Sequence, residues 1–142
     1  MTVEKALFLV DELKPNQIEK ARKLEWLTNV DRYIFDHVIL THEPDEETPT
    51  EFAGYDQATE PDTELLVKAP FDELYRFYLE MHIDLANQEY DKYNNSAQLY
   101  ANALSQYKRW YHREHRPRMP RQHLIFDWFE GKRKCRRGPL GH

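Results

Sequence analysis

The sequence is poor in cysteine and glycine, and each shortage excludes some protein classes. Cys135 is the only cysteine, so a disulfide framework within the chain is excluded and a reducing cytoplasm is the expected compartment. Of the four glycines, three lie at or after Gly131. A body with so little glycine argues against a β-sandwich with many tight turns and against glycine-rich phosphate-binding loops.

Long apolar runs and catalytic signatures are also missing. No stretch approaches the ~20 apolar residues that a membrane-spanning helix needs. The N-terminal apolar patch contains Glu4 and Asp11, unlike the basic and then apolar layout of a signal peptide. The sequence contains no Walker loop, nucleophile elbow or dinucleotide fingerprint. We therefore expect a protein that contacts no membrane, is not an enzyme, and holds no cofactor or metal.

Charge is distributed unevenly along the chain. The net charge is −5, but residues 1–107 hold 9 Lys/Arg and 22 Asp/Glu, whereas residues 108–142 hold 11 Lys/Arg and 3 Asp/Glu. The asymmetry predicts an acidic body with a basic arm at its C-terminal end. A basic arm suits either nucleic acid or an acidic protein surface.

The spacing of apolar residues predicts an all-α fold. Two series with steps of three and four residues each put one stripe on a helix face. They are Phe71, Leu74, Tyr78, Met81, Leu85 and then Ala97, Tyr100, Leu104, Tyr107, Tyr111. The two series are out of phase, so we predict a break near residues 90–94 and an antiparallel helical hairpin, about 70–90 and 94–115. Helices over 2–13 and from 16 to about 41 complete a small four-helix bundle.

Capping residues predict where the helices begin. Thr2 is a candidate N-cap of the first helix, and Asn16 with Glu19 makes a capping box for the second. Pro70 is expected in the first turn of the third helix, where its missing N–H costs nothing.

The hairpin turn contains Tyr93, Asn94 and Asn95. We predict that Asn94 or Asn95 caps the fourth helix and that Tyr93 covers the hairpin end. The alternative is a binding patch at a loop tip, together with Tyr90. We prefer the cap because Asn is a leading N-cap residue.

Residues 42–62 are predicted to form an irregular acidic loop. Three prolines and many carboxylates deny this segment a regular helix. Long irregular insertions in small domains are often contact surfaces. The acidic contact residues of this loop are Glu43, Asp45, Glu46 and Glu47.

The sequence divides into a helical domain, 1–115, and a basic C-terminal arm, 116–142. The arm contains an apolar docking segment at 123–129, and residues 131–142 are expected to be disordered. Its candidate contact residues are Arg116, Arg118, Arg121, Phe126, Trp128, Phe129, Lys132, Arg133 and Lys134. These residues either bind DNA phosphates, with the aromatic rings stacking on bases, or bind an acidic protein surface. We favour the protein partner because residues 1–107 carry a net charge of −13 and repel DNA.

The histidines are weaker candidates for functional residues. His112 and His115 could share a helix face and bind a metal, as could His37 with His42. Neither pair has Cys or carboxylate partners at recognised metal spacings. We therefore assign His112 and His115 to the basic end of the fourth helix.

Several short segments of the chain together form a recognisable pattern. The segments are DTELL at 62–66, PFDELY at 70–75, YNNS at 93–96 and WY at 110–111, and KLEWL at 23–27 followed by THE at 41–43 fits the N-terminal part of the same pattern. Over roughly residues 16–115 the chain resembles the head–tail connector (adaptor, or head-completion) proteins of long-tailed phages and prophages. The resemblance implies a helical bundle that assembles as a ring beneath the portal, with DNA in its channel. It also implies terminal segments that grip neighbouring subunits or the portal, and no catalytic residues.

Two functions are therefore expected. The first is a structural virion protein, a homo-oligomeric ring that contacts the portal, tail-completion proteins and, non-specifically, DNA. It would be found in the virion and, during assembly, in the host cytoplasm. The alternative is a small nucleic-acid-binding regulatory protein that uses the basic arm.

Overall fold

The computed structural model describes residues 1–118, which form a small all-α bundle. The helices are α1, Val3–Leu13; α2, Lys20–Ile34, continued by a π-helical segment, Phe35–Ile39; α3, Glu73–Ala86; and α4, Tyr90–Glu114. Within residues 1–118 the only β-pairing consists of isolated bridges, and none of these helices is long and apolar enough to cross a membrane. The all-α prediction is confirmed.

The hairpin of α3 and α4 is the centre of the bundle. The ring of Phe71 packs against Tyr107 and that of Tyr78 against Tyr100, so residue numbers on the two helices run in opposite directions. α3 also packs against α1 and α2. Its buried face includes Leu79, which has no exposed surface, and burying such a side chain contributes about 1.5–3 kcal/mol.

The hairpin turn lies earlier than the sequence predicted. α3 ends at Ala86, and Gln88 adopts a left-handed backbone with φ of 59°, a common way to end a helix. α4 begins at Tyr90, so the predicted caps Asn94 and Asn95 are exposed residues inside the helix, and Tyr93 lies in its first turns. The cap prediction was wrong because the left-handed residue after α3 closes the turn without an asparagine cap.

Two predicted helix starts also shift. Asn16 does not cap α2, because its side chain accepts a hydrogen bond from the Ile18 backbone N–H at 3.1 Å and donates to the Lys14 carbonyl. This local turn takes up the side chain that a capping box requires, and α2 begins only at Lys20. α3 begins at Glu73, three residues after Pro70. The cap at Thr2 is confirmed, since its hydroxyl accepts from the Lys5 N–H at 3.2 Å.

The long connection between α2 and α3 is anchored to the bundle at several points. Its later part runs beside the start of α1, where the Leu65 N–H donates to the Met1 carbonyl at 3.0 Å. Leu65 and Val67 are buried, and Phe52 and Tyr55 pack against the core. The predicted acidic contact residues precede these contacts in the chain and are exposed: Glu43, Asp45, Glu46 and Glu47.

Asp31 on α2 is a buried carboxylate that ties this connection to the helices. The hydroxyls of Tyr55 and Tyr75 donate to it at 2.5 and 2.6 Å, and the Leu66 N–H donates at 3.2 Å. Burial raises the pKa of Asp31 to about 6, although the three hydrogen bonds act in the opposite direction. The Tyr75 hydroxyl also accepts from the Val67 N–H at 2.7 Å. One polar cluster thus fixes two helices and the loop.

A second buried carboxylate, Asp84, joins α1 to the hairpin. Lys14 forms an ion pair with its Oδ2 at 2.5 Å, and Ser96 donates to the same oxygen at 3.0 Å. Ser96 therefore contributes to the interior of the bundle from within α4.

Candidate functional site at the root of the basic arm

The arm leaves α4 by pairing with the chain that follows α2. The Glu43 N–H donates to the Arg116 carbonyl at 2.7 Å, and the Arg118 N–H donates to the Thr41 carbonyl at 3.0 Å. These bonds flank an isolated antiparallel bridge between residues 42 and 117. We call the paired segments 41–43 and 116–118 the arm root. The root fixes the backbone of Arg116 and Arg118 while both residues stay exposed.

His42 fills the space beneath the arm root. Its Nδ1 lies 2.7 Å from the Val38 carbonyl oxygen, and a carbonyl only accepts, so Nδ1 carries a proton and donates. The Nε2 then faces His112 Nδ1 at 3.3 Å. The ring also meets Tyr111 edge-on, with centroids 5.1 Å apart. His42 thus links the end of α2 to the last turns of α4.

His115 connects the end of α4 to the acidic loop. Its ring stacks on Tyr111 with centroids 3.9 Å apart, and its Nε2 lies 2.9 Å from Asp45 Oδ2. Hydrogen bonds from Thr48 and then from His115 lower the pKa of Asp45 to about 2. The carboxylate of Asp45 is therefore ionised at neutral pH, and its bond to His115 holds the loop beside the arm root.

A cleft of about 320 Å³ opens between the acidic loop and α4. Tyr107, Trp110 and Tyr111 form its aromatic wall, and Asp45 and Glu47 lie at its acidic side. Within residues 1–118 no group of three or more histidine, cysteine or carboxylate side chains could hold a metal ion. The arrangement consists of a fixed exit for the arm beside an exposed acidic loop.

The structure brings together two elements that the sequence predicted separately, the acidic loop and the start of the basic arm. Glu43 is part of the arm root, Asp45 bonds His115 at the end of α4, and Glu46 and Glu47 are exposed beside them. The other arm residues lie outside the described part of the chain: Arg121, Phe126, Trp128, Phe129, Lys132, Arg133 and Lys134.

The predicted turn residues belong to the opposite end of α4. Asn94 and Asn95 lie about 20 residues before the arm root, which is about 30 Å along a helix. They are not part of the candidate site.

The contact between His42 and His112 was not predicted from the sequence. Seventy residues separate them, and neither belongs to a recognised motif. No local signal could have brought them together before the packing of α2 against the hairpin was known.

Comparisons with known proteins give no match for this chain among protein-family models, curated proteins or solved structures.

Proposed function

We propose that this chain is a structural virion protein, a head–tail connector subunit that forms a ring below the portal and joins capsid to tail around the DNA channel. The observation that carries this proposal is the arm root. A basic arm leaves an acidic helical body from a fixed point, beside an exposed acidic loop. A body and arm of opposite charge can link identical subunits in series, since the arm of one complements the body of the next.

The length of the arm fits this role. After Arg118 the chain continues for 24 residues, which include 6 Lys/Arg and 2 Asp/Glu. A chain of that length spans at most about 80 Å. The longest helix, α4, has 25 residues and is therefore about 37 Å long. The arm can thus extend past its own body to a neighbouring subunit, the portal or a tail-completion protein.

Charge also fits a protein that surrounds DNA without holding it. Residues 1–107 carry a net charge of −13, which repels phosphates over a Debye length of about 10 Å at moderate salt. A ring of such bodies would let DNA slide through its channel. The contact with DNA is then non-specific, and the protein belongs to the virion once assembly in the host cytoplasm is complete.

The experiment measures binding to the portal protein of the same genome. The full chain and the portal are mixed, and the mass of the complex is measured by multi-angle light scattering after size exclusion. A variant with Lys132, Arg133 and Lys134 changed to Glu should bind at least about tenfold more weakly, because its charge is reversed. The matched control reverses Lys5, Lys20 and Arg22 on α1 and around the start of α2, and should bind like the wild type. A chain that ignores the portal at every salt concentration contradicts the proposal.

The alternative function is a small nucleic-acid-binding regulator. The observation in its favour is that the root leaves the side chains of Arg116 and Arg118 exposed at the start of a basic segment. A salt-titrated DNA-binding assay separates the two functions. A regulator binds duplex DNA tightly at moderate salt, with an affinity that falls steeply as salt rises, and loses that binding in the triple Glu variant. A connector does not bind free DNA tightly under those conditions.

A further inference from the structure

The C-terminal half of α4 has a second concavity, on the side away from the aromatic cleft. Its volume is about 360 Å³. The lining residues are His37, Val38, His42, Lys108, Arg109 and His112. No carboxylate is among them. Since residues 1–118 carry 14 Lys/Arg and 23 Asp/Glu, a concavity lined only by basic and neutral groups stands out from an acidic body.

Lys108, one of the basic residues of this concavity, is held in place by its neighbours. Lys108 Nζ donates to the Tyr33 hydroxyl at 2.6 Å and lies 4.8 Å from the centroid of its ring. The Tyr33 ring in turn packs on His37, with centroids 4.6 Å apart. Within residues 1–118, neither Lys108 nor Arg109 forms a salt bridge with a carboxylate. The concavity therefore presents positive charge that no carboxylate in the described part of the chain neutralises.

The acidic loop of the same chain contributes no carboxylate residue to the lining of this concavity. Asp45 is fixed by His115 and Thr48, on the flank of α4 that carries the aromatic cleft. At about 100° per residue, the basic residues of the concavity lie about 140° around the α4 axis from the residues that line the cleft. Glu46 and Glu47 are exposed on the loop. Glu47 lies 3.8 Å from Lys68 in an ion pair whose two side chains are 83% and 70% exposed, so both carboxylates are accessible to another molecule.

We infer that the acidic loop of a second copy, residues 43–47, occupies the basic concavity. The contact joins two different surfaces on opposite flanks of α4, so it is heterologous and can repeat from copy to copy until a ring closes. Opposite charges across such an interface both steer the encounter and fix its register. The biological setting rests on the proposed ring function, but the contact itself needs only two copies of this chain.

A DNA backbone is the less favoured occupant. Residues 1–118 as a whole carry a net charge of −9. That surrounding charge repels a continuous phosphodiester chain. A short acidic loop meets the concavity without bringing a long polyanion against the rest of the body.

Charge exchange between two variants of the full chain tests the inference. One variant, K108E/R109E, makes the concavity acidic; the other, E46K/E47K, makes the loop basic. Self-association is measured by sedimentation equilibrium at low salt, without the portal. The wild type should self-associate, and each variant alone should do so at least about tenfold more weakly, since attraction becomes repulsion at two positions. An equimolar mixture should recover to within about threefold of the wild type, because each reversed surface then meets its complement.

Two further variants control for folding and for net charge. K5E/R22E changes the charge by the same amount as K108E/R109E on exposed residues of α1 and α2 and should associate like the wild type. R109E alters only an exposed position of the concavity and should weaken association in the same direction as the double variant, by less.

The possible results separate this inference from the proposed function. A wild type that stays monomeric at every concentration overturns the inference, as does a mixture that fails to recover. The inference is also overturned if K108E/R109E self-associates like the wild type but no longer binds duplex DNA. DNA is then the occupant of the concavity. Charge-dependent self-association by a chain that ignores the portal supports the contact and refutes the connector function.

Discussion

Asp31 should make the stability of the protein fall as pH rises from about 5 to about 7.5. Its pKa is about 6 in the folded state, raised mainly by burial, and close to 3.9 in an unfolded chain. Between these two values the folded state holds a proton that the unfolded state has lost. Protonation therefore favours folding below the folded pKa, and this contribution is lost as pH rises through it.

The size of the effect follows from the two pKa values. The full shift of about two units is worth about 3 kcal/mol, of which about 1.4 kcal/mol falls between about pH 5 and about pH 7.5. A typical urea dependence of about 2 kcal/mol per molar converts that change into a shift of about 0.7 M in the unfolding midpoint. His82 acts in the opposite direction, because burial lowers its pKa. The pH dependence of the wild-type unfolding free energy therefore contains contributions from both Asp31 and His82.

The assay compares urea unfolding of the wild type with that of Asp31→Asn at both pH values. An amide does not titrate, so the difference in unfolding free energy between the two proteins should change by about 1.4 kcal/mol across the interval. The contribution of His82 cancels in that difference. Glu12→Gln, which replaces an exposed carboxylate on α1, should leave the pH dependence unchanged. A difference between wild type and Asp31→Asn that stays constant with pH refutes the assignment of a raised pKa to Asp31.

Three further predictions follow from the buried polar groups and the corrected hairpin turn. Tyr75→Phe removes the hydroxyl that bonds both Asp31 and the Val67 N–H, so urea unfolding should show a loss of about 2–3 kcal/mol; a loss below about 0.5 kcal/mol contradicts the cluster. Lys14→Met leaves buried Asp84 without its counter-ion and should cost about 3 kcal/mol, whereas an unchanged melting temperature would show that the pair does not form. Asn94→Ala should leave stability unchanged or raise it by about 0.5 kcal/mol, because the residue is inside α4 and Ala is the better helix former; a loss of about 1 kcal/mol would instead indicate an N-cap.

Periodicity was sufficient to predict the class of the fold and the hairpin, since a stripe of apolar residues reports directly on a helix face. The stripe on α4 is confirmed by the burial of Tyr107 and Tyr111. The predicted stripe on α3 was shifted, because Leu85 is 44% exposed while Tyr75 and Ile83 are buried. Aromatic and aliphatic residues occur all round this helix, which packs against three others, so sequence spacing alone cannot select one face.

Polar residues were the harder part to predict. In the sequence, Asp31 only interrupts an apolar stripe. In the structure it accepts hydrogen bonds from two tyrosines and from the backbone of the connection between α2 and α3. Ser96 lay beside predicted caps, yet it bonds Asp84 within the bundle. The role of a buried polar group can be assigned only when its hydrogen-bond partners are known. The partners of Asp31 and Ser96 lie 12 to 44 residues away along the chain.

The candidate site was predicted in its parts but not in its assembly. Charge patterning identified the acidic loop and the basic arm, because blocks of like charge are visible in the sequence. Their meeting depends on His42 and His115, which connect segments 70 residues apart. Contacts of that range are set by the packing of α2 and α4 and leave no periodic signal.

The central claim is that this chain forms a ring on the portal. Electron microscopy of portal particles mixed with an excess of the full chain tests it most directly. We expect an added ring of density on one face of the portal, large enough for one four-helix bundle per subunit and open along its axis. Portal particles that look the same with and without the chain would contradict the claim.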